Sequence, residues 1–410
     1  MKMPGNKLLE GVRILEAGIY MALPVAGRIL SEFGAEVIKV ESCKALDSVM
    51  FVPFYAPSVG QTEYQGAKRR VQLNLRHPKA KPIFEKMLKA CDVFMTNYTK
   101  EHLKGWGFDF AEITALNPEI IILWQTGMGS IGPHSDYKVF GNIVQHPVGI
   151  TAMTGFGEAP YTINTSYSDW HAAVFQAMVV VTALLRRRRT GKPTFAECSI
   201  FKSGVCTVGP AILDYEANGR NFQPIGNRDA SAAPHGIYPC QGEDRWCAIA
   251  VFSDEEWKAF CKVIGDPNWT RQQKFATLVA RLRNVDELDK LVSEWTRERT
   301  AQEVMEKMQA AGVAAGIVAK GEDLAQSPHL RERGFYRETT YYMPAPNKPP
   351  AEWQESAPVI SSPVPVNFSR TPLSLGHIHR IGEDNQYVYG ELLGMSQQEI
   401  EELVKETVIF

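Results

Sequence analysis

Short apolar runs alternate with stretches of helical periodicity through the first 140 residues. Val12-Arg13-Ile14-Leu15 is a brief β-rich run. From Leu23 to Phe33 apolar residues recur at helical spacing, and Gly34 stands as a stop. Glu36-Val37-Ile38-Lys39-Val40 predicts the next strand, Ala80 to Ala90 a helix, and Asp92-Val93-Phe94-Met95 another strand. A helical stretch ends at Asn117-Pro118. The unbroken apolar run Ile120-Ile121-Ile122-Leu123-Trp124 then predicts a strand covered on both faces. Strand and helix in alternation predict an α/β fold with a mostly parallel sheet, helices on its faces, and ligands at the carboxyl ends of its strands.

Further along the pattern changes. Residues 171–190 predict a long apolar helix closed by Arg186-Arg187-Arg188-Arg189-Thr190-Gly191. Four cations followed by glycine suit a helix C-terminus, where the dipole favours positive charge. That reading is preferred to a nucleic-acid or phosphate patch. Near residue 225, Gly226-Asn227-Arg228 and Ala233-Pro234-His235-Gly236 punctuate the chain. Strand-like Arg245-Trp246-Cys247-Ala248-Ile249-Ala250-Val251 and several short charged helices follow, and predict a smaller α+β domain over 225–325. A Pro-rich stretch, 344–366, predicts an extended surface connection, and Ser396 to Lys405 a last helix. The larger domain is expected to comprise 1–205 and 330–410.

Composition narrows the class. The 410 residues are 44% hydrophobic and 22% charged, with a net charge of −2. Such a chain can bury a large core, is not predominantly disordered, and is not a general binder of nucleic acid or acidic membranes. The N-terminal MKMPGNKLLEGVRILEAG has no apolar core or cleavage site, so no signal peptide is expected. The longest apolar stretch, Ala172 to Leu185, includes Gln176 and Thr182 and is shorter than the ~20 residues of a membrane span. The seven cysteines form no C-x-x-C pair, which predicts reduced thiols and a cytoplasmic protein.

Gly127-Met128-Gly129-Ser130-Ile131-Gly132 follows a strand and matches G-x-G-x-x-G, but Pro133-His134-Ser135-Asp136-Tyr137 is loop chemistry. The acid at about the required distance, Glu158, sits in a Gly/Pro-rich loop, so a dinucleotide site is not favoured. His377 and His379 are two apart, a poor spacing for one helix face, and no metal site is expected. Asp169 lies in Asn164-Thr165-Ser166-Tyr167-Ser168-Asp169-Trp170-His171, directly before the apolar helix. Read locally it is an N-cap. A carboxylate there is also expected to be kept ionised by the helix dipole, as nucleophilic catalysis by aspartate requires.

A series of segments in one order resembles family III CoA-transferases, the group that includes formyl-CoA and carnitine CoA-transferases. The series opens with Leu9-Glu10-Gly11-Val12-Arg13-Ile14-Leu15-Glu16, Gly34-Ala35-Glu36-Val37-Ile38-Lys39-Val40-Glu41 and Lys68-Arg69-Arg70-Val71-Gln72-Leu73-Asn74-Leu75. It continues through Asp92-Val93, Asn97-Tyr98, Gly129-Ser130-Ile131-Gly132-Pro133, the Asp169 segment and Arg189-Thr190-Gly191-Lys192. It ends with Gly226-Asn227-Arg228, Ala233-Pro234-His235-Gly236-Ile237-Tyr238 and Ser327-Pro328-His329-Leu330-Arg331-Glu332-Arg333-Gly334. The resemblance covers nearly the whole chain and turns the reading of Asp169 from cap to catalyst.

The resemblance implies a Rossmann-like large domain built from both chain ends, a smaller domain between, and two chains interlocked as rings. It implies that Asp169 attacks a donor acyl-CoA, and that CoA then passes through an aspartyl-CoA thioester to a free acid, with a small-domain loop as lid. Coenzyme A is then a substrate, and no cofactor is permanently bound. By motif position, Lys138, with Val139 and Phe140, matches the CoA-contacting lysine segment. Leu73, Asn74, Leu75, Arg76, Asn97, Tyr98 and Thr99 match the adenine and phosphate channel, and Met21 and Ala22 the thioester end.

Departures bear on the substrate. The usual Asn-Phe-x-Pro-Gly reads Asn97-Tyr98-Thr99-Lys100-Glu101, and Gly105 replaces an arginine, with Lys104 as a substitute. Met21 replaces the glutamine of formyl-CoA transferase, the small-domain glycine run is absent, and Gly-Glu-His-Thr reads Gly382-Glu383-Asp384-Asn385. Formate and oxalate are therefore not expected. The favoured pair is succinyl-CoA and benzylsuccinate, as in anaerobic aromatic degradation, with a homodimer or a heteromer with a related subunit. One alternative is an α-methylacyl-CoA racemase, whose Gly-His-Asp-Ile-Asn-Tyr reads Phe140-Gly141-Asn142-Ile143-Val144-Gln145 with His146 displaced. The other is a non-catalytic CoA-binding partner subunit.

Overall fold

A computed structural model describes residues 7–42, 47, 62–157, 161–163, 165–343 and 348–410. Cys43, Glu158, Asn164 and the start of the Pro-rich stretch lie outside the described residues. The chain forms two compact units, residues 1–150, 163–219 and 329–410 in one and 151–162 with 220–328 in the other. Residues 151–162 thus group with the second unit, although they fall inside the range 1–205 drawn above for the first.

The first unit is an α/β fold around a six-stranded, all-parallel sheet. Its strands are β1 (Arg13–Ala17), β2 (Glu36–Glu41), β3 (Arg69–Gln72), β4 (Val93–Thr96), β5 (Ile121–Thr126) and β6 (Phe195–Ser199), in the order β3-β2-β1-β4-β5-β6. Alternate residues serve opposite faces, as the two-residue period of a strand demands. Ile14, Val37, Val93 and Ile121 enter one apolar core with Leu23, Leu30, Ala173 and Ala177. Leu15, Ile38, Phe94 and Ile122 enter the other with Phe84, Leu88 and Ile400. Both faces are covered, which is why these strands read as nearly unbroken apolar runs.

The helices that position the site are α1 (Ala22–Glu32), α2 (Ala80–Lys89), α3 (Lys100–Gly105), α4 (Phe110–Leu116), α5 (Gly141–Val144) and α6 (Tyr167–Thr190). Gly34 takes φ 101° just after α1, a conformation that favours glycine. Helix α6 starts four residues before the predicted position and ends at Gly191 with φ 68°. At its basic end Arg187 pairs with Asp92 at 2.6 Å, and Arg186 donates to the carbonyls of Lys192 and Pro193. Among the described residues α6 alone has the length and apolar content to cross a bilayer. It packs along α1 and buries Ala172, Ala173, Gln176, Ala177, Val180 and Ala183.

Below β1 to β3 runs a buried ionic network. Lys39, Lys68 and Arg70 are all fully enclosed. Lys68 Nζ lies 2.8 Å from Glu16 Oε2 and donates to the carbonyls of Pro24 and Tyr64, and burial pushes its ammonium down to about 8. Arg70 makes a two-pronged contact with Glu41 at 2.7 and 2.8 Å. Burial raises the Glu41 carboxyl, but Arg70 and Lys39 outweigh it and hold the group below its ordinary value. Glu41→Ala leaves the Arg70 charge enclosed without its carboxylate. The first unit is then expected to lose about 3–5 kcal/mol, read from its urea midpoint, whereas a change below about 1 kcal/mol would show that water reaches Arg70.

The second unit has a three-stranded antiparallel sheet, β7 (His235–Pro239), β8 (Trp246–Ala250) and β9 (Ala314–Ile317). Helices α7 (Asp254–Val263), α8 (Val285–Arg297) and α9 (Ala301–Ala310) supply Phe260, Leu288, Val292, Val304 and Met308 to a core with Tyr238, Cys247 and Ile249. A hollow of about 520 Å³ lies against the sheet, lined by Arg228, His235, Ile237, Ala248 and Ala250 among others. Arg228 is held by Asp286 and Asp289, and His235 Nδ1 lies 2.7 Å from the carbonyl of Asn227. The punctuating motifs near residue 225 thus meet as the entry to this unit.

Candidate functional site

In the first unit the loops that leave β1, β4 and β5 emerge at the same edge of the sheet. Strand order reverses between β1 and β4, and a crevice for ligands opens at such a switch point. Asn97, just past β4, grips the loop after β1: its Oδ1 accepts from Ile19 N at 3.0 Å and its Nδ2 donates to Ile19 O at 2.7 Å. A methyl group on Gly18 would stand 2.3 Å from Leu23 Cδ2, so a larger residue there would force the Leu23 side chain to move. The next residues bend through Tyr20, at φ 66°, an uncommon conformation for a bulky side chain. The Tyr20 N–H is held by Asp47 at 2.9 Å, and Asp47 in turn lies 3.8 Å from the buried Lys39 ammonium. The Tyr20 ring meets Phe140 edge to face at 5.0 Å, and both rings stay exposed.

Phe140 precedes α5, and α5 is laced to the start of α6. Ser166 Oγ hydrogen-bonds Asn142, and Gln145 Oε1 accepts from Tyr167 N at 3.1 Å. These bonds set Asp169, only 8% exposed, against Gly141, whose N–H donates to its carboxylate. The approach is so close that a methyl group on Gly141 would stand 2.1 Å from Asp169 Oδ2. Asp169 is the third residue of α6, and the residue before the helix is Ser166, which makes no side-chain cap bond. The cap reading of Asp169 is therefore replaced.

The expected ionisation is also corrected. Asp169 sits in the first turn of α6, yet burial pushes its carboxyl up to about 7, against a smaller downward pull from the Gly141 N–H. Desolvation of a carboxylate outweighs one donor. Near neutral pH the group is poised between acid and carboxylate, the range suited to a reactive carboxyl.

The other candidate residues spread along the same edge. Met21 directly precedes α1 and Ala22 opens it, and both are buried. Leu73 is buried after β3; Asn74 N donates to Val408 O at 2.8 Å, Leu75 packs at the core margin, and Arg76 is exposed. Tyr98 meets Trp106 edge to face at 4.7 Å, and Thr99 caps α3 through His102 N. Burial pushes the Tyr98 phenol up, while the Arg76 charge pulls the other way, which puts these two segments within electrostatic reach. Val139 packs against Gly127. Lys104 and Lys138 are exposed and no described contact ties either to Asp169, and the displaced His146 is exposed as well.

Contacts therefore bring together Asn97, the loop before Met21, Phe140 and Asp169. Sequence reasoning missed Tyr20, Asp47 and Gly141 as parts of the site. Only Gly141 left a local sign, as a glycine beside an aromatic residue in a stretch already compared with a catalytic motif.

The family described as CoA-transferase family III matches residues 9–373. The chain is 29% identical over 413 residues to a succinyl-CoA–D-citramalate CoA-transferase of Chloroflexus aurantiacus, covering 98% of each. It is 28% identical to a formyl-CoA:oxalate CoA-transferase of a Bradyrhizobium species, over 97% of this chain and 96% of that one. Among solved structures, a CaiB/BaiF family protein from Brucella suis superposes with a TM-score of 0.85 at 23% identity, covering 95% of this chain and all of that one.

Proposed function

The chain belongs to CoA-transferase family III and is an enzyme of that class, and we propose that Asp169 is its nucleophile, moving CoA between a succinate-type thioester and a substituted succinate. The observation that carries this reading is a buried carboxyl, poised near neutrality, at the carboxyl edge of the sheet beside its switch point.

The chemistry proceeds in balanced steps. Ionised Asp169 attacks the donor thioester carbonyl, forming an aspartyl-acyl anhydride and releasing CoA thiolate. The thiolate attacks the aspartyl carbonyl, which gives an aspartyl-CoA thioester and frees the donor acid. The acceptor carboxylate attacks that thioester, and the returning thiolate takes the acyl group from the second anhydride. Each intermediate stays activated, so no nucleotide is consumed. The Gly141 N–H stabilises negative charge as it shifts on the aspartyl carboxyl. Arg76, Lys104 and Lys138 are assigned to the CoA phosphates. Leu73, Asn74, Leu75, Asn97, Tyr98, Thr99, Val139 and Phe140 are assigned to its adenine and pantetheine, and Met21 and Ala22 to the thioester end.

A substituted succinate unites two observations. Citramalate, the acceptor named for the Chloroflexus relative, is a succinate bearing methyl and hydroxyl groups. The exposed rings of Tyr20 and Phe140 suit a larger substituent, such as the benzyl group of benzylsuccinate. Assembly as an interlocked pair belongs to the same proposal. Trp170, Val174, Met178, Val181 and Leu185 form an exposed apolar stripe along α6 at spacings of a single helix face, and a second copy of the chain is the proposed cover.

The test is to incubate the protein with succinyl-CoA, trap with hydroxylamine or borohydride, and map the modified peptide by mass. A hydroxamate or reduced carboxyl at position 169 is expected, and an unmodified Asp169 would end the proposal and favour a non-catalytic CoA-binding subunit. Citramalate and benzylsuccinate are expected to accept CoA faster than oxalate. Preference for oxalate would overturn the assignment of the acid. Deuterium uptake at the α-carbon of a branched acyl-CoA would favour a racemase instead.

A further inference from the structure

The C-terminal part of the first unit returns along β3 with two histidines and an acid brought together. His377, His379 and Glu383 each offer one ligand atom, and the three atoms lie within 4.8 Å of one another. Glu383 Oε1 is 2.6 Å from His377 Nε2 and 3.6 Å from His379 Nδ1. The imidazole rings stack with centroids 4.0 Å apart. The spacing argument against a metal assumed a helix, and that assumption fails here. Residues 376–380 have no helical structure, and a turn at 381–384 carries Glu383 back beside both rings.

We propose that His377, His379 and Glu383 form a binding site for one divalent transition-metal ion, of which zinc is the best match. Two donors held about 2.1 Å from zinc at a tetrahedral angle lie about 3.4 Å apart. The present 2.6 and 3.6 Å separations bracket that value and no pair of ligand atoms exceeds 4.8 Å, so side-chain shifts on the order of 1 Å would complete the geometry. Imidazole donors select zinc, nickel or cobalt over magnesium or calcium, which prefer all-oxygen shells.

The segment under the cluster is packed and hydrogen-bonded to the first unit. Ile378 and Ile381 are buried and anchor the segment. Its backbone is bound to the strand edge, with His379 O accepting from Arg70 Nη1 and Gly382 N donating to Arg70 O. Glu383 Oε2 accepts from Arg380 N at 2.7 Å, which orients the carboxylate and leaves Oε1 turned to the histidines. Asp384 lies beside the cluster, with Oδ2 at 2.8 Å from His379 Nδ1, and adds a second negative charge. Asp384 is itself fixed by Arg69 and by the Arg70 N–H. His377 is largely exposed, which leaves a coordination position for water. The ion would clip residues 377–383 of the returning segment to one another, a structural role far in kind from the acyl chemistry.

Full-length protein without an affinity tag, dialysed against chelator, provides the test. Titration with zinc by calorimetry, and with cobalt followed by its visible absorption, is expected to show one ion per chain. Magnesium is expected to give no signal. His377→Ala should weaken zinc binding by about tenfold or more, and His377→Ala with His379→Ala should abolish it. Zinc should raise the melting temperature of the wild type and leave that of the double variant unchanged. Absence of saturable binding to the wild type, or equal binding by the double variant, would overturn the site.

Discussion

Asp169→Asn is expected to abolish CoA exchange, lowering the rate by about 10⁴-fold or more, because an amide cannot form the anhydride. The same substitution is expected to make the fold more stable above neutral pH. Below about pH 4 the carboxyl is protonated whether the chain is folded or not, and it contributes no pH-dependent term. Between its ordinary value of 3.8 and about 7 the folded protein keeps the proton that the unfolded chain releases. Stability therefore falls as pH rises through that window, and the full penalty is present above about 7. Some three units at ~1.4 kcal/mol each make the penalty on the order of 4 kcal/mol. Denaturant melts at pH 4.5 and 8 should show Asp169→Asn gaining mainly at the higher pH. Equal effects at both would contradict the buried, neutral carboxyl. In the wild type, kcat/KM should climb with pH through a limb near 7, since the ionised form attacks.

Gly141→Ala is expected to cost at least about 10²-fold in exchange while the protein remains folded. The added methyl would sit 2.1 Å from Asp169 Oδ2 and 2.2 Å from its carboxyl carbon. Either the nucleophile swings out of line or α5 retreats and withdraws its N–H. A displacement of about 1 Å is enough for that loss. Alanine itself suits the start of a helix better than glycine, and Gly141 does not occupy a positive-φ conformation. A circular dichroism spectrum and melting temperature close to wild type, joined to a fall in kcat, would separate this from unfolding. Wild-type turnover would show that Asp169 has room the structure denies it.

Much of this architecture could be read from residue order. Where strands are covered on both faces, as at Ile120 to Trp124, the apolar run is its own label. Strand β3 carried no such label: Arg70 and Gln72 are buried and Arg69 is half-buried, and the arginines' partners, Glu36, Glu41 and Asp384, are distant in sequence. Its polarity is explained only once the pairs are assembled. The first turn of α6 was missed because Ser166, Ser168 and Asp169 all resemble helix starts, and apolar spacing begins only after them. Asp169 is proposed as the nucleophile because of the order of motifs along the chain. Its protonation was misjudged because a dipole can be inferred from a helix boundary, whereas burial depends on α5, some 25 residues earlier. The meeting of His377, His379 and Glu383 is hidden for a similar reason, since sequence spacing cannot show that a turn returns an acid to two imidazoles.

Trp170, which opens the apolar stripe, is the immediate neighbour of Asp169. A seam formed along that stripe would press on the very turn of helix that carries the reactive carboxyl. Mutations that retune subunit affinity and mutations that retune turnover would then fall on overlapping residues, and neither trait could drift far without the other being reselected.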